Sequence, residues 1–581
     1  MDNVTIATML DETASLLEIS GADPFRIRSY RRAAEAVEQQ TQPLAAMVDD
    51  PKKLLEIAGI GKGMAANITA LVKTGTMEIR DSLLKTYKAT MLDLLKLPGM
   101  GPKTVALVWE ALGVADIDAL EAAAKAGKLT TLPRFGEKQV VKLLKGIEDY
   151  RRNATSFRID DADEAAARIA ELILKFPGIE TVTPAGSLRR GKESVGDLDL
   201  LVTGPACEPE VVSAAVEHVA SLPMIANLIA KGQNKVAFAL RNGMQVDVRL
   251  LPKSSYGAAL QYFTGSKMHG IAVRQRALKL GYTLSEYALA SMEDDSIIAA
   301  ETEEGIYKAL GMDWIPPEMR ENAGEIELAL KHELPELITQ TDLRGDVHMH
   351  TTESDGTQTI REMADAAVKR GYKYIAITDH SKNLAMTNGM DDKRAIAHAK
   401  RIRQVDKEMD GKIRVFAGVE VDILADGALD LEDATLAQLD VVIASVHTLF
   451  NQPMDEMTAR VVKAVENPYT RILGHPTGRL LLKREPYAVN LDPVLKRAAE
   501  LGVAVEHNAS PHRLDLNAQQ MRLAKEYGCK FVINTDAHSI GDLDKMRFGV
   551  LQMRRAWLTK GDVLNTLPAE KFLKALRKRP A

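Results

Sequence analysis

Two groups of side chains in this 581-residue chain have the types and spacing to do chemistry. The first is GSLRRGKESVGDLDLLV at 186–202, joined by Asp247 in MQVDVRLLP. Side chains alternate faces along a strand, so Asp197 and Asp199 project the same way while Leu198 turns to the core. Crowded carboxylates repel unless cations sit between them. They are therefore candidate ligands for two Mg²⁺ (or Mn²⁺) ions, hard cations that prefer oxygen and can clamp the attacking and leaving oxygens of an in-line displacement. A third carboxylate is expected on an adjacent strand, and Asp247 fits, flanked by inward-facing Val246 and Val248. Gly186-Ser187 ends a strand or opens a helix, where a triphosphate could sit.

The second group is built on histidine. Of twelve histidines only His218, His269 and His332 precede residue 341, and nine fall in the last 241 residues. DVHMHTTESDG places His348 and His350 at i and i+2 of a strand end, with Asp355 in the following loop. Later apolar runs each finish in a potential ligand: Asp379 and His380, Glu420, His447, His475, then Asp536 and His538. In a parallel barrel the C-terminal strand ends converge on one mouth, so side chains distant in sequence can share one cluster. Imidazole and carboxylate together suit transition metals. Glu506, His507, Asn508 and Arg513 end another run and are read either as contacts to a substrate phosphate or as supports behind the ligands.

The elements that must position these groups differ along the chain. Residues 1 to about 150 show helix-period apolar spacing broken by Gly-containing turns and few β-branched runs, which predicts an all-helical region. A helix near 163–176 and strand-like VTPAGSL, GDLDLLV, KVAFAL and MQVDVRLLP predict an α+β module, with helices returning briefly after Pro252. From Leu343 short apolar runs alternate with helical segments, the pattern of a parallel α/β barrel. A Pro pair and a helical stretch at 313–338 read as the connection between modules.

Composition bounds the rest. The length argues for several folding units. A formal net charge of −5 requires any nucleic-acid contact to come from local basic patches. Cys207 and Cys529 are too few and too far apart for a disulfide framework or a cysteine metal site. No basic-then-apolar leader and no apolar run long enough to span a membrane is present, so a soluble, cytoplasmic chain is expected.

Two segments repeat one pattern, IAGIGKGMAANI at 57–68 and LPGMGPKTVALV at 97–108, and both look like helix-hairpin-helix motifs. Gly59 and Gly61, like Gly99 and Gly101, let the backbone approach a phosphate closely while helix N–H groups and Lys62 or Lys103 point at it. Such contacts grip DNA without reading its sequence. A weaker copy, LPRFGEKQVVKLL at 132–144, lacks the first glycine. Upstream, PFRIRSYRRAA carries Arg26, Arg28, Arg31 and Arg32 around Tyr30, enough charge on one helix to hold a 5′ phosphate.

Residues 1–320 resemble the DNA polymerase X family, whose nucleotidyltransferase signature is the Gly-Ser…Gly-x-Asp-x-Asp pattern of 186–199. The resemblance implies that Gly186, Ser187, Arg190 and Gly196 bind the incoming triphosphate. It also implies that Asp197, Asp199 and Asp247 hold two metals, with Asp247 helping to deprotonate a primer 3′ hydroxyl. QYFTGSKMHGIAVRQRALKLGYTLSEYAL at 261–289 is similar to the family's thumb. Tyr262, Phe263 and Gly265 match positions that crowd the sugar, and Arg274 matches a minor-groove contact. Arg26 and Tyr30 take 5′-phosphate positions, which implies a preference for gapped DNA. Two positions depart from the pattern: Gly270 stands where an asparagine often contacts the nascent base, and Asn67 stands where the lyase lysine is found. An amide cannot form a Schiff base, so no lyase of that kind is expected, with Lys62 the alternative nucleophile nearby.

Residues 341–575 resemble the polymerase and histidinol phosphatase (PHP) family. That likeness implies His348, His350, Glu420 and Asp536 around one metal, Asp355, His380 and His538 around a second, and His447 and His475 around a third with Glu420 bridging. Up to three Zn²⁺ or Mn²⁺ ions and phosphoester hydrolysis follow from it. The expected organisation is multidomain. A helical DNA-binding domain occupies 1–85, and a second, fingers-like one 86–150. A nucleotidyltransferase palm spans 151–252, a thumb 253–318, a linker 319–340 and a distorted (β/α)7 PHP barrel 341–581. The expected activity is a monomeric DNA polymerase that fills short gaps with dNTPs in base-excision repair, fused to a 3′–5′ exonuclease. Abasic sites and 3′ phosphates are further substrates of related proteins. The rival reading is a histidinol-phosphatase-like enzyme with a regulatory N-terminal half, which leaves the tandem phosphate-gripping turns without a purpose. A non-catalytic DNA scaffold would have no need to gather so many repelling carboxylates.

Overall fold

The computed structural model describes residues 3–38, 44, 47–48, 51–55, 57, 59–133, 135–154, 156–384 and 387–576. It forms two compact units, Met1–Ala154 and Thr155–Ala581. Among the described residues the first unit is helical and has no strand. Its helix Lys62–Thr74 buries Met64, Ala65, Ile68 and Leu71, one stripe at helical spacing, and stops at Gly75 in the left-handed conformation. The helix Pro102–Leu112 starts on Pro102 and stops the same way at Gly113. Two apolar cores result, one around Leu10, Val37, Ile68 and Leu71, the other around Leu94, Val105, Val108 and Leu120. Ala58 and Arg134, in the first and third glycine-turn segments, lie outside the described residues.

After a short strand (Phe157–Arg158) and a helix, the second unit builds a five-stranded sheet: β1 (Thr181–Pro184), β2 (Asp197–Thr203), β3 (Ile225–Lys231), β4 (Lys235–Leu240) and β5 (Gln245–Leu250). Their order is β1-β2-β5-β4-β3, and β2 and β5 run parallel while the other pairs are antiparallel. In β5, Val246, Val248 and Leu250 are buried and Asp247 and Arg249 take the other face. Helix Ile159–Ile173 covers the sheet with Ala162, Ala166, Ile169 and Ile173.

Helices Tyr256–Thr264 and Lys267–Lys279 follow, and then a small three-stranded sheet (282–284, 289–291, 297–299) that the sequence reading missed. The segment expected as a linker folds onto this module, because Met319, Ile326, Ala329 and Leu337 join its core and Arg320 is fully buried against Glu303. Its one α-helix, Glu325–Lys331, spans only seven residues, too few for apolar spacing to mark a packed element.

Seven parallel strands in sequential order complete the chain: β6 (Gly345–Asp346), β7 (Tyr374–Ile377), β8 (Arg414–Asp422), β9 (Val441–Ser445), β10 (Ile472–Leu473), β11 (Ala504–Asn508) and β12 (Phe531–Asn534). A parallel bridge between Met349 and Ala537 brings the first and last strands together, so the barrel is nearly closed. The strands are buried on both faces: Tyr374 and Ala376 join one core with Phe416, Val441 and Ile472, while Ile375 and Ile377 join the core under the surrounding helices. Phe572 of the C-terminal helix fits against Tyr374, ring centroids 5.0 Å apart, filling the end of the barrel opposite the histidines.

Candidate active sites

In the palm sheet, register sets the first constellation. Asp199 stands opposite Asp247 and Asp197 opposite Gln245 across the parallel pair β2–β5. Burial, then the like charges of Asp197 and Asp247, push the Asp199 carboxyl up to about 7. Asp247 is met by Lys235 Nζ at 3.1 Å and Gln245 Nε2 at 2.8 Å, so protein cations and donors already compensate its charge.

The turn before β2 packs on these carboxylates. Ala185 N–H donates to Asp199 O at 2.9 Å, and Gly186 has φ +55°, where a Cβ would overlap Asp199 Oδ2. Glycine is required there for shape and for conformation alike. Ser187 Oγ is buried without a hydrogen-bond partner, an unmet donor that suits a phosphate oxygen. Arg190 donates from Nη1 to Thr264 O at 2.5 Å, which sets its guanidinium against Gly265. Gly196 leaves open space just before β2. Tyr262 and Phe263 meet edge to face with centroids 5.2 Å apart, under Arg274 and Arg249 respectively. Gly270 lies beside Arg274, whose Nη1 would be 3.5 Å from an added Cβ.

In the first unit, Gly61 and Gly101 begin their helices in extended conformation with no side-chain cap, leaving N–H groups unclaimed by a side chain, and Gly59 and Gly99 have positive φ. Lys62 and Lys103 are exposed. Arg26 is exposed too, but Tyr30 is buried and accepts a hydrogen bond from Asn67 Nδ2 at 2.8 Å. The amide that replaces the expected lysine thus has a defined partner.

The barrel mouth holds the second constellation. His348 Nε2 lies 3.2 Å from Glu420 Oε2 and 3.5 Å from Asp536 Oδ1, and His350 Nε2 lies 3.1 Å from the same Asp536 oxygen. His380 Nδ1 is 3.0 Å from Glu420 Oε2, and Asp355 Oδ2 stands 3.6 Å from His380 Nε2 and 3.4 Å from His538 Nε2. Three groups of donors come within 4.8 Å among the described residues: His348, His350, Glu420 and Asp536; His350, Asp355, His380 and His538; His380, Glu420 and His447. His475 Nε2 lies 2.8 Å from Glu420 Oε1 without entering the third group. His348 Nε2, His350 Nδ1, Glu420 Oε2 and His475 Nδ1 are buried without hydrogen-bond partners. Each such atom costs about 1–3 kcal/mol unless something else satisfies it, and divalent cations fit this donor set.

Electrostatics agrees with the geometry. Burial would raise the Glu420 carboxyl, but His348, His447 and His380 hold it well below its ordinary value. Burial and the neighbouring His538 and His380 lower His350 to about 4. Neutral His350 has a lone pair free to bind a cation. Against burial, the neighbouring carboxylates raise His348, His380 and His447 above the ordinary imidazole value, so a cation held there would displace their protons.

Supports surround the donors. Glu506 accepts from His348 Nδ1 at 2.7 Å, and Asp422 from His447 Nδ1 at 2.5 Å. Asn508 Nδ2 donates to Asp536 Oδ2 at 3.0 Å, and Arg513 Nε lies 3.4 Å from it. His507 points elsewhere, to Leu516 O. Glu506 and Asn508 thus stand behind candidate donors, while Arg513 reaches the mouth. Asp422 was missed, although its place two residues after Glu420 on one strand was the available signal. Asp379 is not among the grouped donors: it accepts from Thr351, Ser354 and His398 Nε2.

Four family models match the chain: a helix-hairpin-helix domain over 1–77, a SAM-like helix-hairpin-helix tandem over 91–149, a DNA polymerase beta thumb over 259–321 and a PHP domain over 346–510. A DNA polymerase/3′–5′ exonuclease PolX of Bacillus subtilis is 38% identical over 579 residues, 99% of this chain and all of that protein. A "probable phosphatase" of Thermoanaerobacter is 30% identical over 232 residues, covering 38% of this chain and 89% of its own length. Among solved structures, Leishmania infantum polymerase beta is 22% identical, with a TM-score of 0.28, over 40% of this chain and 98% of that one.

Proposed function

Since the chain belongs to the PolX family of bacterial DNA polymerases with a C-terminal PHP domain, we propose that its palm extends primer 3′ ends across short DNA gaps and its barrel removes nucleotides in the 3′–5′ direction. The observation that carries this reading is the presence of two separate clusters of candidate metal donors, a carboxylate one on β2 and β5 and an imidazole–carboxylate one at the barrel mouth. Two opposed reactions need two centres. The Thermoanaerobacter phosphatase matches only 38% of the chain, which leaves the helical, palm and thumb regions unexplained by a small-molecule phosphatase.

At the palm, Asp197, Asp199 and Asp247 would hold two Mg²⁺ or Mn²⁺ ions, which supply charge neutralisation for in-line phosphoryl transfer. Gly186, Ser187, Arg190 and Gly196 would seat the triphosphate, with Ser187 Oγ donating to a phosphate oxygen. Asp247 would accept the primer hydroxyl proton as Lys235 withdraws. Tyr262, Phe263 and Gly265 would crowd a ribose 2′ hydroxyl, and Arg274 would touch the minor groove. In the helical unit, Arg26 with Tyr30, Gly59, Gly61, Lys62, Gly99, Gly101 and Lys103 would hold DNA phosphates.

At the barrel, His348, His350, Asp355, His380, Glu420, His447, His475, Asp536 and His538 would hold up to three Zn²⁺ or Mn²⁺ ions, which supply Lewis-acid activation of water for attack on phosphorus. Glu506 and Asp422, accepting from Nδ1 of His348 and His447, would keep Nε2 of each ring turned to the cations, and Arg513 would meet the scissile phosphate. The same donors suit an abasic site or a 3′ phosphate. No helix of the described residues is long and apolar enough to cross a membrane, and we place the protein in the cytoplasm as a monomer acting in base-excision repair.

The test is a product analysis on gapped DNA labelled at the primer 5′ end, with divalent metal, in the presence and absence of dNTPs. Longer products with dNTPs and shortened ones without them support the reading. Release of inorganic phosphate from small esters with neither DNA product contradicts it.

A further inference from the structure

The second unit contains a direct physical link from the barrel to the palm's triphosphate turn. Arg555, on the helix Met546–Arg555 that packs on the barrel, donates from Nη1 to Arg190 O at 2.8 Å and to Glu321 Oε1 at 3.0 Å. Arg190 Nε approaches that same Glu321 oxygen at 3.3 Å. One guanidinium therefore fixes the backbone of Arg190 directly and its side chain through a shared carboxylate. One turn earlier, fully buried Gln552 donates from Nε2 to Gly191 O at 2.6 Å, and Leu551 Cβ would stand 3.1 Å from a Cβ on Gly191.

These contacts are built to hold position. Burial pushes the Glu321 carboxyl up, yet Arg555 and Arg190, with Lys192, bring it below its ordinary value. Hydrogen bonds to ionised groups are the strong ones, and Arg555 is only 12% exposed along its side chain. Arg190 is the C-cap of the four-residue helix Gly186–Arg189 and Gly191 follows it, and the barrel helix supplies a donor to the carbonyl of each. The Gly186–Gly191 turn thus has its C-terminal end capped by another domain.

We propose that Arg555 and Gln552 are positioning residues for the nucleotide-adding site: the hydrolytic domain holds Arg190 and its turn in the geometry that receives a triphosphate. The inference rests on the reading of the palm as that site. The two residues are far from the barrel's donor groups in role, since neither belongs to them. The barrel would therefore serve extension through this helix even when its own chemistry is switched off.

The test measures steady-state extension of gapped DNA by full-length Arg555→Ala, Arg555→Lys and Gln552→Ala against the unaltered protein, alongside hydrolysis of a 3′ end. The KM for dNTP is expected to rise about tenfold in Arg555→Ala, a loss in the range produced by misplaced binding groups. Arg555→Lys, which keeps the charge and the donors but on a shorter side chain without the planar fork, should fall between, and Gln552→Ala should shift KM in the same direction. Hydrolysis and kcat at saturating dNTP should change far less than KM. An unchanged KM in Arg555→Ala and Gln552→Ala overturns the proposal, as does an equal fall of extension and hydrolysis, which marks general unfolding. If Arg555→Ala does not fold, the Lys and Gln552 variants decide by the same KM criterion. Absence of extension by the unaltered protein would instead refute the function on which the proposal stands.

Discussion

Glu506 Oε1 accepts from His348 Nδ1 at 2.7 Å within a pair that is wholly buried, and Asn534 Nδ2 donates to the same oxygen at 2.9 Å. The bond fixes the ring so that Nε2 faces Glu420 and Asp536. Glu506→Gln keeps the shape and removes the charge. It should lower divalent-metal affinity and 3′–5′ hydrolysis about tenfold, the low end for loss of a carboxylate behind a metal-binding histidine, with primer extension retained. Metal titrations of both activities check this.

Asp199 yields a prediction about stability. Its carboxyl is pushed up to about 7 from an ordinary 3.8, so between those values the folded chain binds more protons than the unfolded one. Stability then falls as pH rises through that window. Asp199→Asn should raise the melting temperature of the chelator-treated protein at pH 8 by a few degrees, for on the order of 1–2 kcal/mol of relieved repulsion. The gain should vanish near pH 4, while primer extension is lost at every pH. Calorimetry across this pH range is the measurement.

Gly186 tests the fit of the turn. An added Cβ collides with Asp199 Oδ2 at a backbone conformation that L-residues avoid. Gly186→Ala should cost extension at least about 100-fold, as a displaced binding group does, and leave hydrolysis intact. Alanine at Gly196, where nothing lies near the added carbon, should be far milder. Single-turnover extension by the two variants gives the comparison.

Much of this was legible in the sequence because its signals are local. Asp197 and Asp199 share a face by strand alternation alone, and most of the candidate donors of the barrel close an apolar run. What was not legible depends on contacts between distant segments. Asp379 closes a run like its neighbours, yet the 351–354 loop and His398 claim it. Asp422 gains its role only through His447, which follows the end of the next strand. The helical character of the 319–340 stretch is legible, but only its burial against the thumb shows it to be part of a core. Arg555 and Glu321 are 234 residues apart, and no local pattern marks either.

Asn67 bears on the first unit. Its Nδ2 donates to Tyr30 OH at 2.8 Å, and an amide offers no amine for Schiff-base formation. Borohydride treatment of the protein with an incised abasic DNA should therefore trap no adduct at residue 67. Peptide mapping checks this, and an adduct mapped to Lys62 would identify that residue as the nucleophile.

The central claim is that one chain carries two independent cation sites with opposed chemistry, and a crossed assay on gapped DNA tests it most directly. Asp197→Ala with Asp199→Ala should abolish primer extension and keep hydrolysis within about twofold of the unaltered protein, since separated sites act additively. His348→Ala should abolish hydrolysis and keep extension to the same degree. Loss of both activities in both variants, with each still folded, would contradict the account.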